Sequence, residues 1–532
     1  MSSASEHDDK SRDHDSESQS PPNNVNLSRP LSTTESIWIT ESLPFAREAI
    51  FVAVICMAQF CTRSSDLFQL QAAYMGTLIL IRTIGESFHV TSPPRLAWLV
   101  AGYSLTVGTF ILISGRLGDV FGYKRMLLMG LIWFSLWSMV AGLSVYSNYT
   151  LAVFSRVLQG IGPAICLPNA LAILGAAYPP GHRKAMVFAF FGAVAPIGAV
   201  IGGLFASVLN LAWWPWALWA MAIWLAILAV IGSFAIPELP AKPRAPHSWR
   251  SYIVTLDLGG AFIGVVALIL FNFAWTQAPV DGWNTPTIIV PLVLGALLFV
   301  VFGFVEARVS PKPLVPFSAV NADVAFVLSA VACGWATFGV WTLYLVQLLQ
   351  EIRHLTPLLT TVWFIPVVCS GACAAVVTGK LLGPLQVKPP YVMIMALLAF
   401  TIGIILTATA PADQIYWGQT FVSMLVMPFG MDMSFPAATL ILSNAVPKQH
   451  QGVGASLVNT VVNYGIALGV GFAGTVEVHV HGSGMTPDEQ LRGFRGAFWM
   501  GVGLAGLGLG VSIAFLAREQ LSQRRSGGDN KE

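Results

Sequence analysis

The run Gly115-Arg116-Leu117-Gly118-Asp119-Val120-Phe121-Gly122-Tyr123-Lys124-Arg125 places glycine, acid and base together in one short break between apolar stretches. Its glycines permit a tight turn against neighbouring helix ends. Asp119 can accept hydrogen bonds from a helix N-terminus or an arginine. The run therefore reads as a clasp that breaks and re-forms, or as a tight basic loop and nothing more. Arg156 is a charge inside an apolar run. Holding it in hydrocarbon costs from about 3 kcal/mol to several times that, so it lines a watered cavity, pairs with another group, or snorkels to the end of its helix. Asp432, between Met431 and Met433, is a carboxyl in a similar setting. It could exchange a proton with a watered path, or order the bend between Pro428 and Pro436. Asp66 is a further candidate acid, in a stretch that also holds Arg63, Gln69 and Gln71. Asp257 and Asp323 begin helices, where an acid favours the positive dipole end, and they read as structural.

The elements that must position these groups are membrane spans. Of 532 residues, 55% are hydrophobic and 10% charged, against about a quarter charged in a soluble domain. So few charges could not cover a soluble surface, which excludes a soluble enzyme. A net charge of +2 with no long basic run excludes a nucleic-acid binder. Cys56, Cys61, Cys166, Cys333, Cys369 and Cys373 lie in apolar stretches, without disulfide or zinc spacing, and read as buried thiols with no metal site. Residues 1–46, rich in Ser, Asp, Glu and His, read as a disordered cytoplasmic tail without a secretory signal.

From about residue 49 the chain repeats roughly 20 apolar residues and a short break, the length of a membrane-crossing helix. The pattern predicts an all-α chain of fourteen spans. A six-helix bundle fills 47–236, a connector 237–255, two extra helices 256–310, a second six-helix bundle 311–517 and a tail 518–532. One set of alternating loops holds thirteen Lys and Arg and the other holds four, which puts the first set and both tails in the cytoplasm. The first span is the exception: residues 49–84 are too long for one helix, and one span with an insertion over Arg63–Met75 fits the charges best. Asn148-Tyr149-Thr150 is a glycosylation sequon in an outer loop, very close to the membrane.

The Gly115–Gly118 segment has a faint echo in Gly379-Lys380-Leu381-Leu382-Gly383, about half the chain later. Parallel halves of this kind build a midplane site between two bundles in many transporters. With its full loop pattern, the sequence resembles the major facilitator superfamily. Fourteen spans resemble its drug:proton antiporter branch, with two extra central helices. Leu151 through Arg156, Gln159 and Gly160 to Gly162 looks like that family's fourth-helix motif. Gly192, Pro196, Gly198, Gly202 and Gly203 look like its antiporter motif, although the proline stands earlier than in the family pattern. Those glycines also suit plain close helix packing. Phe429–Pro436 and Gln451–Thr460 resemble fungal aminotriazole-resistance-type exporters. The resemblance implies a two-bundle fold, a cytoplasmic gate at Gly115–Arg125 and a part for Arg156 in proton transfer.

Trp341, Tyr344, Gln347, Asn459 and Asn463 are candidates for a substrate cavity. Ser456, Asn459 and Asn463 share one helical face, which lines a cavity or bonds to neighbouring helices. No Gly-Lys-Ser/Thr nucleotide loop occurs, so a proton gradient, and no bound cofactor, is the expected energy source. These features predict a proton-coupled exporter of small organic molecules that is not an enzyme. It works as a monomer in the plasma membrane, with the vacuolar membrane as the alternative. An importer or inorganic-solute carrier of the same fold is the second prediction, and a non-transporting sensor the third.

Overall fold

Proline marks where many of these helices start, because its missing N–H is one that the first turn leaves unbonded anyway. The computed structural model describes residues 44–62, 72–178, 183, 187, 198, 200–237, 249–315, 322–445, 451–481 and 486–528. Before the first bundle's long helices come α1 (Phe45–Thr62), α2 (Ala72–Ile79) and α3 (Ile81–Ser87). The rest of that bundle is α4 (Pro93–Phe121), α5 (Tyr123–Leu143), α6 (Tyr149–Gln159), α7 (Ile161–Ala177), α8 (Val200–Asn210) and α9 (Pro215–Ala235). The middle holds α10 (Trp249–Leu256), α11 (Leu258–Asp281) and α12 (Pro286–Phe304). The second bundle is α13 (Ala322–Gln347), α14 (Pro357–Trp363), α15 (Ile365–Leu382), α16 (Pro389–Thr409), α17 (Gln419–Ala445), α18 (Gln451–His481) and α19 (Pro487–Gly528). Among the described residues there is no strand.

Twelve helical stretches among the described residues are long and apolar enough to cross a membrane. Of the first and fifth expected spans, the described residues include α1 and α8. Two expected spans are interrupted. Gly160 separates α6 from α7, where an added Cβ would lie 2.5 Å from the Tyr103 carbonyl, so α4 presses against the break. Phe364 separates α14 from α15. The connector carries the short helix α10, and α19 runs on into the expected tail.

The middle helices have a defined seat. α4 packs against α18, joining the two bundles, and α11 lies over that seam. Trp98 of α4 donates to Gln277 of α11 at 2.8 Å, and Tyr464 of α18 donates to the Leu268 carbonyl of α11 at 3.1 Å. Along its most apolar stretch 78% of α4 is buried, against 11% of α12. α12 therefore presents its apolar surface outward.

Candidate functional site

The Gly115–Arg125 run spans the last turns of α4 and the start of α5. Gly122 sits at φ +95°, a backbone state that side chains rarely adopt, and lets α4 turn directly into α5. Gly118 is needed for space: an added Cβ would lie 2.8 Å from the Tyr123 ring and 3.0 Å from the Asn169 amide carbon. Arg116 donates to the Lys312 carbonyl at 2.6 Å and to the Pro313 carbonyl, so it ties α4 to the segment entering the second bundle. It also feels the charges of Asp257, Glu306 and Asp119. Asp119 is exposed and accepts from the Tyr123 hydroxyl at 2.5 Å. Lys124 is half-buried and Arg125 exposed. We expect Gly118→Leu to destabilise the fold by about 1–3 kcal/mol, as overpacked helix contacts do. Gly115→Ala, whose added methyl would meet nothing nearer than 3.8 Å, should be neutral. Size-exclusion profiles of the two tagged variants, extracted from membranes, check the contrast.

Arg156 does not snorkel. It is 2% exposed and spans three helices: Nε donates to the Leu99 carbonyl at 3.1 Å, Nη2 to the Ala73 carbonyl at 3.3 Å, and Nη1 to the Gln159 amide oxygen. Gln159 in turn donates to Ser138 at 2.5 Å. The guanidinium lies 4.6 Å from the centre of the Tyr103 ring, within cation–π range. Its hydrogen-bond partners here are all neutral.

The second bundle holds the other polar groups. Trp341, Tyr344 and Gln347 follow one another at three-residue steps near the end of α13 and are 0%, 2% and 1% exposed. They meet different surroundings. Trp341 Nε1 donates to Thr407 at 3.1 Å and Ser423 at 2.9 Å, which turns it toward α16 and α17. Tyr344 donates to Glu477 Oε2 of α18 at 2.8 Å and stacks edgewise on Phe494 and Phe498. Gln347 has neither amide atom bonded. Asn459 and Asn463 are buried on α18, where Asn463 donates to the Asn459 carbonyl at 2.9 Å and its Cβ faces Gly108 of α4. Four of the five expected cavity residues thus divide between the α13–α16–α17 core, the α13–α18 contact and the α4–α18 seam. Asp432 is fully buried in α17, between the helix-interior prolines Pro428 and Pro436.

Contacts between the bundles also occur just past the C-terminal end of α13. Arg82 pairs with Glu86 at 2.7 Å and donates to the Gln350 carbonyl at 2.9 Å, while Gln350 donates to the Ile79 carbonyl at 2.8 Å. Gly203 of α8 leaves so little room that an added Cβ would lie 2.9 Å from Thr361 of α14. Gly198 and Gly202 are buried in helix, which agrees with close packing, and Gly192 and Pro196 lie outside the described residues. So do Asp66 and Arg63–Gln71, whereas the last four residues of the expected insertion are helical, in α2. Asn148 caps α6, its side chain accepting from Leu151 N at 2.8 Å. Cys369 and Cys373 are exposed on the outside of α15, not buried as expected. An apolar run that faces lipid leaves its thiols outward.

Residues 67–470 match the Major Facilitator Superfamily. The chain belongs to that superfamily. It is 50% identical to the low affinity ammonium transporter of Saccharomyces cerevisiae over 88% of each chain. It is 40% identical to the efflux pump terG of Aspergillus terreus, over 91% of this chain and 90% of that one. With the aminotriazole resistance protein of S. cerevisiae it shares 37% identity, over 86% and 83%. Among solved structures, a peptide transporter POT superposes with a TM-score of 0.62 at 16% identity, covering 89% of this chain and 94% of that one. The fold is the all-α major facilitator fold, and the protein is a multi-pass membrane transporter and not an enzyme.

In this facilitator the sequence reading missed Glu477. α18 runs on to His481 and buries the Glu477 carboxylate to 3% exposure. The sequence reading also missed Glu351, just past α13, which accepts from Gln490 and acts electrostatically on Glu477 and Arg82. A Glu one turn beyond Gln347, in register with Tyr344, was the available signal.

Proposed function

We propose that this chain is a proton-coupled exporter of small organic molecules, drugs or secondary metabolites, which works by alternating access. The observation that carries the coupling is Glu477, a buried carboxyl in a span whose hydrogen bond comes from the neutral Tyr344 hydroxyl. Intramembrane carboxyls of this kind are the usual carriers in proton relays. Glu351, between Glu477 and the outer Arg82–Glu86 pair, supports proton entry from outside. Arg156 and Asp432 are the further coupling groups of this reading, with Asp66 as a third. Arg116 and Asp119 serve as the inner gate, and the seam around Asn459 and Asn463 contributes to the substrate path. Export is supported by 40% identity to a named efflux pump. The transporter has fourteen spans, takes its energy from the gradient without a bound cofactor, and acts as a monomer in the plasma membrane.

A second reading, uptake of ammonium or a similar small cation, is supported by 50% identity to a named ammonium transporter. One experiment separates the two. Cells lacking and cells overproducing the protein are compared for retention of a panel of toxic organic compounds and for uptake of labelled methylammonium, with and without an uncoupler. Export predicts lower retention of organic compounds on overproduction, restored by the uncoupler. Greater retention contradicts export, and methylammonium uptake that rises with overproduction favours the second reading.

A further inference from the structure

The middle helices bring together two acids that the proposed coupling path does not use. Asp257 stands between α10 and α11, and Glu306 lies just past the end of α12. They are 8% and 2% exposed. Asp257 holds φ +47°, a backbone state in which Asp and Asn are enriched, and its Oδ1 accepts from Gly260 N at 3.4 Å. Glu306 Oε2 accepts from Val315 N at 3.1 Å. Each carboxyl thus gives one oxygen to the backbone. The other two oxygens converge: a Cβ added to Gly260 would lie 2.5 Å from Glu306 Oε1 and 2.7 Å from Asp257 Oδ2.

An unbonded buried atom alone would say little, but here acceptor meets acceptor. The two carboxyls lie within hydrogen-bonding reach of each other, and neither Oε1 nor Oδ2 receives a hydrogen bond from a donor of the protein. An ionised carboxylate has no hydrogen to give, so a bond between two of them needs a proton. Like charges that close also repel strongly enough to keep one proton between them. Among the described residues no cluster of three acid, histidine or cysteine side chains could hold a metal ion, which makes a metal the poorer occupant.

Among the described side chains, the charged neighbours of the pair are few. Arg116 of α4 acts on both acids, and Asp119 acts on Arg116, while Arg308 and Lys312 are exposed. With one shared proton the pair carries a single negative charge, which Arg116 balances. Arg116 meanwhile donates to the Lys312 and Pro313 carbonyls, in the same segment whose Val315 N–H bonds Glu306. That segment is therefore held from two sides.

We propose that Asp257 and Glu306 form a proton-binding site, sharing one proton that keeps the Lys312–Val315 segment tied to α4. When the proton leaves to water the pair carries two negative charges. The carboxylates then part, and Arg116 turns from the carbonyls toward the acids. The site stands whatever the transporter carries, in either direction, and whatever drives it.

The test uses purified full-length protein in detergent, followed across pH by infrared spectroscopy and by hydrogen–deuterium exchange. Wild type should show a carboxylic-acid C=O band that disappears as pH rises, because sharing lasts only until the pair loses its second proton. Glu306→Gln and Asp257→Asn should each lack that band, since the new amide donates to the remaining carboxylate in the proton's place. Asn suits the positive φ at position 257, so that variant decides if Glu306→Gln does not fold. Exchange protection over Lys312–Val315, corrected for the intrinsic pH dependence of exchange, should fall about tenfold in wild type as the band is lost, as when one charge-assisted hydrogen bond breaks. In either variant it should not change with pH. The proposal is overturned if no such band exists, if a folded variant retains it, or if a folded variant's protection follows pH as wild type's does. Carboxylate bands of the pair that shift on adding a chelator would assign a bound cation and overturn it too.

Discussion

Arg156→Ala is expected to lower gradient-driven transport by at least about 100-fold, a loss worth roughly 2.7 kcal/mol at the rate-limiting barrier, while the protein still reaches the membrane. The argument starts from what the guanidinium joins. It connects the Leu99 carbonyl of α4, the Ala73 carbonyl of α2 and Gln159 of α6, and it sits over Tyr103. α2 also packs against α13 and α14 of the other bundle, so Arg156 holds a helix that both halves use. Arg156→Lys keeps the charge but loses the planar fork that reaches three acceptors at once, and should fall between wild type and Ala. The measurement is initial transport rate per molecule of protein in sealed vesicles. A merely structural arginine would reduce protein level and transport together and leave the rate per molecule unchanged.

Glu477→Gln is expected to separate downhill from uphill movement. The amide keeps the size of the side chain and can still accept from Tyr344, but it cannot carry a proton. A proton crossing about 100 mV supplies about 2.3 kcal/mol, enough for roughly 50-fold accumulation. The variant should lose that accumulation and still equilibrate substrate down its own gradient. Asp432→Asn is the comparison: if it accumulates normally, Asp432 belongs to the bend between Pro428 and Pro436 and not to coupling. Full accumulation by Glu477→Gln would remove Glu477 from the proton path.

What the sequence made legible follows from the length scale of each signal. Membrane spans announce themselves through runs of about 20 residues, so the all-α architecture was readable. At the Gly115–Arg125 run only the sharp turn was readable: Gly122 adopts a positive φ and Gly118 has no room for a side chain, whereas the rest of the expected loop is helical, in α4 and α5. Arg156 stood out as a charge in an apolar run. Side-chain direction is set by partners far along the chain and was not readable. Trp341 and Tyr344 are three residues apart, yet one bonds Thr407 and Ser423 while the other bonds Glu477. No local pattern tells those outcomes apart. Glu477 escaped because an acid at the end of an apolar run does not reveal its own burial, whereas α18 runs on to His481 and encloses it. The breaks at Gly160 and Phe364 were hidden for a similar reason, since each lies inside a continuous apolar run.

The most direct measurement is made on purified protein in sealed vesicles loaded with a fluorescent organic cation. An imposed pH difference should drive the dye uphill in wild-type vesicles, the movement should collapse when a protonophore is added, and Glu477→Gln vesicles should only equilibrate it. Vesicles that moved no organic compound against its gradient under that pH difference, or that moved it equally with the protonophore present, would contradict proton-coupled export.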